Sequence, residues 1–421
     1  LINTTNAQSG NAAIQRLFWI GFGCFIAFIV VYRVLHPVPE GLNPHYVYLA
    51  DSFLHGRLDI NAINSNAYDI SYYQGQRQIP FGALPGVLMM PFVALLGHSF
   101  HQVYMVYILS VISVWILWLL LGSMGVTNSA RAWLAALLFV SSPYLYHISL
   151  DGPWSLQHAL TMTTTLLAIY TVLHHPLADL RWRAWLLIGL LVGCSLLNRY
   201  AVVLSLLFFL WLLVEEGRVL RWPLRRYLVP LSGMGLGVGL CLATFMLFNY
   251  ARFDNPLQTG FSLCDWPPAQ RAAYNQGFFS LAHVPKNLLS AFLSGPIPTT
   301  AFGPTVAHPV LPFPWIQPNP WGMSLFLTSP ALLYAFRSGL DTPLKRACWA
   351  TTALLFATLM LYFWSGVPQI GYRYALDFFP FLIILLALQW QMGVSTLGRW
   401  LILAGGLFCS WCLLSIQLSS P

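Results

Sequence analysis

Asp51 stands in "NPHYVYLADSFLHGR" (43–57), with Tyr48 three residues before it and His55 four after. On a helix this spacing puts a phenol, a carboxylate and an imidazole on one face. A carboxylate so placed can take the proton of an attacking hydroxyl, which is general-base chemistry. Further acids fall nearby: Glu40, Asp59, and Asp69 in "AYDISYYQGQRQIPFG". Asp151 lies in "HISLDGPWSLQH", beside Gly152 and Pro153. Each has a plainer reading. Asp51 and His55 make an i, i+4 pair on a wet helix face, and an acid in a Gly-Pro turn commonly serves the turn.

Three arginines complement the acids. Arg199 interrupts "GCSLLNRYAVVLSLLF", Arg252 stands in "FNYARFDNPLQTGF", and Arg373 precedes Asp377 by four residues in "IGYRYALDFFPFLIILL". Ionisable groups in or beside apolar spans are costly and mark functional sites. A guanidinium fork matches phosphate oxygens, so arginines converging on one pocket suit a phosphate ligand. The structural alternatives are an Arg373–Asp377 pair within one helix and snorkelling of Arg199 and Arg252 to lipid headgroups. No P-loop, H-E-x-x-H, G-x-S-x-G or metal-ligand spacing is present in the sequence. No metal site or cofactor is expected from these motifs, with a divalent ion left open.

The elements that must position these residues are membrane helices. The chain is 57% hydrophobic and 8% charged, whereas soluble domains carry roughly 25% charged residues. Continuous apolar runs argue for helices rather than a barrel. Candidate spans lie near 17–35, 103–122, 131–147, 157–175, 184–198, 200–214, 227–249, 321–336, 347–364, 372–390 and 399–416, about eleven in all. The first run lacks a cleavage site and reads as a retained span. The net charge of +8 does not indicate nucleic acid, because the bases cluster in short loops. Of the seven cysteines, only Cys264 lies in a polar loop, so no disulfide framework is expected.

The segment 81–97 is short and interrupted by Pro85 and Pro91. If it does not cross, Arg16, Arg131, Arg181, Arg183, Arg218–Arg226, Arg337–Arg346 and Arg399 share one side, as the positive-inside rule favours. It therefore reads as a juxtamembrane or re-entrant helix. Two large outer loops follow, about 36–102 and 250–320, the first with an amphipathic helix over 44–55. Asn43 and Pro44 are its expected N-cap and first residue, and Gly56 its stop. The inner loops are short, so chemistry is expected on the extracytoplasmic side, with the N-terminus cytoplasmic. The whole of 1–421 reads as one all-α polytopic domain.

The order of "YVYLADSFLHGRLD", "IPFGALPGVLMMPFVALLG", "FNYARFDNPLQTGF", "GMSLFLTSPALLYA" and "GYRYALDFFPFL" resembles the GT-C superfamily of membrane glycosyltransferases. Protein O-mannosyltransferases and lipid A aminoarabinose transferases belong to it, with an uncharacterised bacterial branch closer still. The resemblance implies a bacterial inner-membrane enzyme that uses a polyprenyl-phosphate-linked sugar. It implies transfer with inversion to an extracytoplasmic lipid, glycan or protein acceptor. It also implies an acid in the first outer loop and basic residues at the lipid phosphate. Relatives carry an Asp-Glu pair a few residues before the Tyr-x-x-x-Ala matching Tyr46–Ala50; here Leu42 and Asn43 stand there. The expected base is then Asp51 or Glu40, with Asp69 and Asp151 as second acids. Arg373, then Arg199 and Arg252, are expected at the phosphate, with Tyr48, His55 and Asp377 accessory. The departure motivates a second reading, a non-catalytic GT-C-like subunit of a membrane complex. A lipid or solute transporter is a third.

Overall fold

A computed structural model describes residues 14–24, 26–27, 31, 43–63, 67–298, 315–319, 321–366 and 369–419. Glu40 and Leu42 lie outside the described residues. Helices dominate: α1 (His45–Leu54), α2 (Leu84–Leu96), α3 (Gln102–Ser123), α4 (Asn128–Phe139), α5 (Pro153–Leu173), α6 (Trp182–Gly193), α7 (Leu206–Val219), α8 (Leu224–Phe253), α9 (Pro343–Leu361), α10 (Phe379–Gln389) and α11 (Thr396–Ser419). Among the described residues, six helices are long and apolar enough to cross a bilayer: α3, α5, α7 with its lead-in from Tyr200, α8, α9 and α11. The protein is an integral membrane protein.

Of the other expected spans, 17–35 lies partly outside the described residues, and the rest are interrupted. Residues 131–147 divide at Pro143, 321–336 divide at Ser329–Pro330, and 372–390 begin with a 3-10 turn, Arg373–Asp377. Prolines lack the N–H that would continue a helix. Asn198 and Arg199 likewise separate α6 and its 3-10 extension from the turn that leads into α7. Such irregular backbone is tolerated at membrane depth only where protein or an internal cavity surrounds it. Two of these breaks supply cavity residues.

Small residues let two helices approach closely. A Cβ on Gly189 would lie 2.4 Å from the Met234 carbonyl oxygen, and one on Gly237 would lie 2.5 Å from the Leu190 nitrogen. Backbone contact of this kind drives association where lipid is as apolar as the side chains. It joins α6 to α8. A buried Ser113–Thr163 hydroxyl contact of 2.8 Å ties α3 to α5.

At one end, Arg131 lies over Trp118, and Phe18 stacks on the same indole at 4.5 Å. Arg346 pairs with Glu215 at 3.4 Å, joining two basic loops. The other end carries α1, α2 and the longer loops. Helix α2 has 13 residues and Pro91 inside it. That is about 20 Å of helix against roughly 30 Å of hydrocarbon. It packs against α1: a Cβ on Gly86 would lie 2.8 Å from Leu49 Cδ2.

Helix α1 begins as the apolar stripe predicts, but Asn43 does not cap it. Pro44 holds the N-cap position with no side-chain cap. The Asn43 side chain reaches instead to the 67–70 loop. That loop leads into a hairpin, β1 (Ser71–Tyr73) and β2 (Gln76–Gln78), paired antiparallel. Gln74 and Gly75 turn it with φ of 48° and 77°, the positive pair of a type I′ turn.

Candidate active site

A cavity of about 280 Å³ opens among the loop-bearing end of the bundle. Asp69, Trp154, Asn198, Arg199, Arg373 and Asp377 are its polar and charged wall, and aromatic rings such as Phe261, Trp266 and Phe363 line much of the remainder. Every ionisable wall group comes from a loop or a helix break.

Asp69 is clamped by its neighbours. Asn43 Oδ1 accepts the Tyr68 N–H at 2.8 Å, and His45 Nε2 contacts the Tyr68 carbonyl oxygen at 2.6 Å. The ends of α1 and its lead-in thus fix the residue before Asp69. The Asp69 backbone sits at φ 59°, a left-handed conformation that Asp and Asn tolerate better than most residues. Trp154 Nε1 donates to Asp69 Oδ2 at 2.9 Å. Burial is the main effect on this carboxyl and pushes it up to about 6, against the pull of the Trp154 bond and the Arg373 charge.

Arg373 lies against the same indole. Its guanidinium carbon is 5.5 Å from the Trp154 ring centroid and 5.4 Å from that of Tyr374, cation–π distances. The residue is 5% exposed, and its Nε has no hydrogen-bond partner among the described residues. Gln369 Oε1 accepts the Arg373 backbone N–H at 2.9 Å. Gly366, at φ 95°, makes the room: a Cβ there would lie 2.8 Å from Arg373 Nε.

Arg199 differs. Its Nε and Nη2 donate to the two oxygens of Asp377 at 2.7 and 2.6 Å, a bidentate fork. Asp377 is therefore paired across the fold and not with Arg373 in its own turn. His158 Nδ1 lies 3.6 Å from the Asp377 carboxylate, with no exposed side-chain surface. Asn198 donates to the Gln157 carbonyl and to Thr161 Oγ1, both at 2.9 Å, which locks the break before Arg199. Gly82 closes the same wall, since a Cβ there would lie 2.0 Å from the Leu197 carbonyl.

The remaining predicted residues lie elsewhere. Asp51, His55 and Arg57 form a partly exposed cluster with His98, at 3.6 to 3.8 Å from the Asp51 carboxylate, and Tyr48 packs on His98. None of these lines the cavity. Asp151 accepts the Val103 backbone N–H at 2.9 Å and contacts His101 at 3.1 Å, so it ties the start of α5 to the start of α3. Arg252 is buried under the loops, donates to the Ile79 carbonyl and Asn249, and lies over Phe248 and Phe253. Among the described residues no group of His, Cys, Asp and Glu is arranged to hold a metal.

Trp154, Gln369 and Gly366 escape the sequence reading. Trp154 has one local signal: it follows the Gly152-Pro153 start of a polar-ended apolar helix. Its link to Asp69 spans 85 positions, and no short motif encodes that.

Residues 84–249 match a family model described as dolichyl-phosphate-mannose-protein mannosyltransferase. The matched stretch includes Trp154 and Arg199 but neither Asp69 nor Arg373. The model falls in the same class of membrane glycosyltransferases that the phrase order resembles. Among solved structures, the chain is similar to ArnT from Cupriavidus metallidurans bound to undecaprenyl phosphate, with 15% identity and a TM-score of 0.49. That similarity covers 91% of this chain and 62% of the other. No curated protein matches.

Proposed function

We propose that this membrane protein, part of which fits a mannosyltransferase model, transfers a sugar from a polyprenyl-phosphate donor to a hydroxyl-bearing acceptor outside the cytoplasm. The single observation that carries this reading is the placement of Asp69 and Arg373 against one indole in one cavity. An acid and a cation facing one cavity are what the reaction requires.

In the proposed step the donor phosphate lies on Arg373, and the acceptor oxygen attacks the anomeric carbon from the opposite face. The carbon–oxygen bond to phosphate breaks, and its electron pair stays on the phosphate oxygen. Asp69 takes the acceptor's hydroxyl proton. The products are the inverted glycoside, a polyprenyl phosphate, and a proton later shed to water. Arg373 stabilises the charge that develops on the leaving oxygen. No metal ion enters the scheme. Acceptor class, whether lipid, glycan or protein, stays open in this reading.

Asp69 takes the role that the resemblance gives to the acids before Tyr46. Asn43, at the position of one of those acids, holds the loop that carries Asp69. This favours an enzyme over a scaffold that has lost its base.

The test is turnover of polyprenyl-phosphate sugars by purified protein, with Asp69→Asn and Arg373→Gln beside wild type. Turnover by wild type and a fall of about 100-fold or more in Asp69→Asn are expected. Full activity in Asp69→Asn would remove it as base, and wild type that neither binds nor turns over any donor in a broad panel would remove the enzyme reading.

A further inference from the structure

Two guanidiniums and two carboxylates line this cavity, and they are not equivalent. Arg199 spends both edges of its fork on Asp377, so that pair is close to neutral toward a ligand. Arg373 has no carboxylate within ion-pair distance among the described residues, and its Nε is unbonded. Beside Arg373, Asp69 is held by Trp154, so with Asp69 ionised the cavity is close to neutral although two guanidiniums line it. The Asp377 side chain has no solvent-exposed surface, with Arg199 at 2.6 Å and His158 at 3.6 Å from its carboxylate.

Resting on the glycosyl-transfer reading, we infer that the Arg199–Asp377 pair is a charge gate that matches the site to a phosphodiester monoanion and loosens its hold on a phosphate monoester dianion. A sugar phosphodiester carries one negative charge. Once the sugar leaves, the oxygen that keeps the bonding electrons makes the lipid phosphate a monoester with a second charge, which ionises with a pKa near 6. A floor of two free guanidiniums would favour the dianion and retain the spent carrier. A cavity whose two guanidiniums are each balanced by a carboxylate has no such preference, so the product leaves and the next donor enters. Asp377 is thus a specificity-determining residue that acts through Arg199 without touching the reacting atoms.

The probes are farnesyl phosphate and its methyl ester, a monoester and a diester with the same prenyl tail. Binding to detergent-solubilised full-length protein is measured by calorimetry at about pH 8, above the second phosphate ionisation. Wild type is expected to bind the diester at least as well as the monoester. Asp377→Asn releases Arg199 and should tip the ratio toward the monoester by about tenfold, because the freed charge meets two charges on one ligand and one on the other. Asp377→Asn combined with Arg199→Gln removes the freed charge and should return the ratio to that of wild type. Arg199→Gln alone should weaken the monoester more than the diester, which covers the case in which Asp377→Asn does not fold. Equal changes in both affinities, or a shifted ratio that persists in the double variant, would overturn the gate and leave the transferase reading intact. Failure of wild type to bind either ligand would overturn both.

Discussion

Asp69 is held so that its proton is poised for exchange near neutrality. Its carboxyl is raised to about 6 chiefly by burial, so the basic form is depleted below that value. Turnover limited by Asp69 should rise through about pH 6 and level off above it, measured as kcat/KM against pH; a profile flat from pH 5 to 8 would exclude Asp69 as the titrating base. Arg373→Lys should lower donor affinity, because an ammonium has no planar fork to lie against Trp154 and Tyr374 while facing phosphate. Asp51→Asn should leave turnover unchanged, since its partners are His55, His98 and Arg57 away from the cavity; loss of activity in that variant would return the base to α1. The residue types were legible in the sequence: acids and arginines were expected on the outer side. Which of them share the cavity was not, because helix spacing makes Asp51 conspicuous, whereas Trp154 and Asn43, both distant in the chain, hold Asp69 and its loop in place.

Helices carry the site by where they stop. The breaks at Asn198–Arg199 and Arg373–Asp377 aim their side chains into the cavity, and neighbouring elements fix each break. Gly82→Ala would push a methyl into the Leu197 carbonyl. Such overpacking costs about 1–3 kcal/mol. Thermal melting of the purified variant should fall, together with donor binding. A paired comparison on α8 tests the α6–α8 seam. Gly237→Ala should destabilise, while Gly235→Ala, with nothing within 4 Å of its Cβ, should be neutral or slightly stabilising. Equal melting temperatures for the two variants would contradict the seam. Apolar periodicity located α1, α2 and the long spans well. It could not separate a straight span from one broken by a serine-proline or an asparagine-arginine step, because hydropathy averages over the break. That is one reason why six helices reach spanning length among the described residues where the runs suggested about eleven crossings.

The whole molecule is asymmetric, with short basic loops at one end and long loops enclosing the cavity at the other. If α2 does not cross, residues on both sides of it face the same compartment. In a background without native cysteines, Tyr72→Cys and His98→Cys should therefore both react with an impermeant maleimide from one side of sealed vesicles. Opposite sidedness would make α2 a crossing helix. The charge distribution motivates this expectation; the cavity was not legible in the sequence, because it is assembled from the 67–70 loop, the start of α5 and two helix breaks far apart in sequence. The left-handed backbone at Asp69 carries an evolutionary consequence. Asparagine is at home in that conformation, and its amide oxygen can still accept the Trp154 N–H. The codons for aspartate and asparagine differ at a single base. One point mutation thus separates the proposed enzyme from a fully folded protein without the base, and descendants that serve only as scaffolds are within easy reach of this lineage.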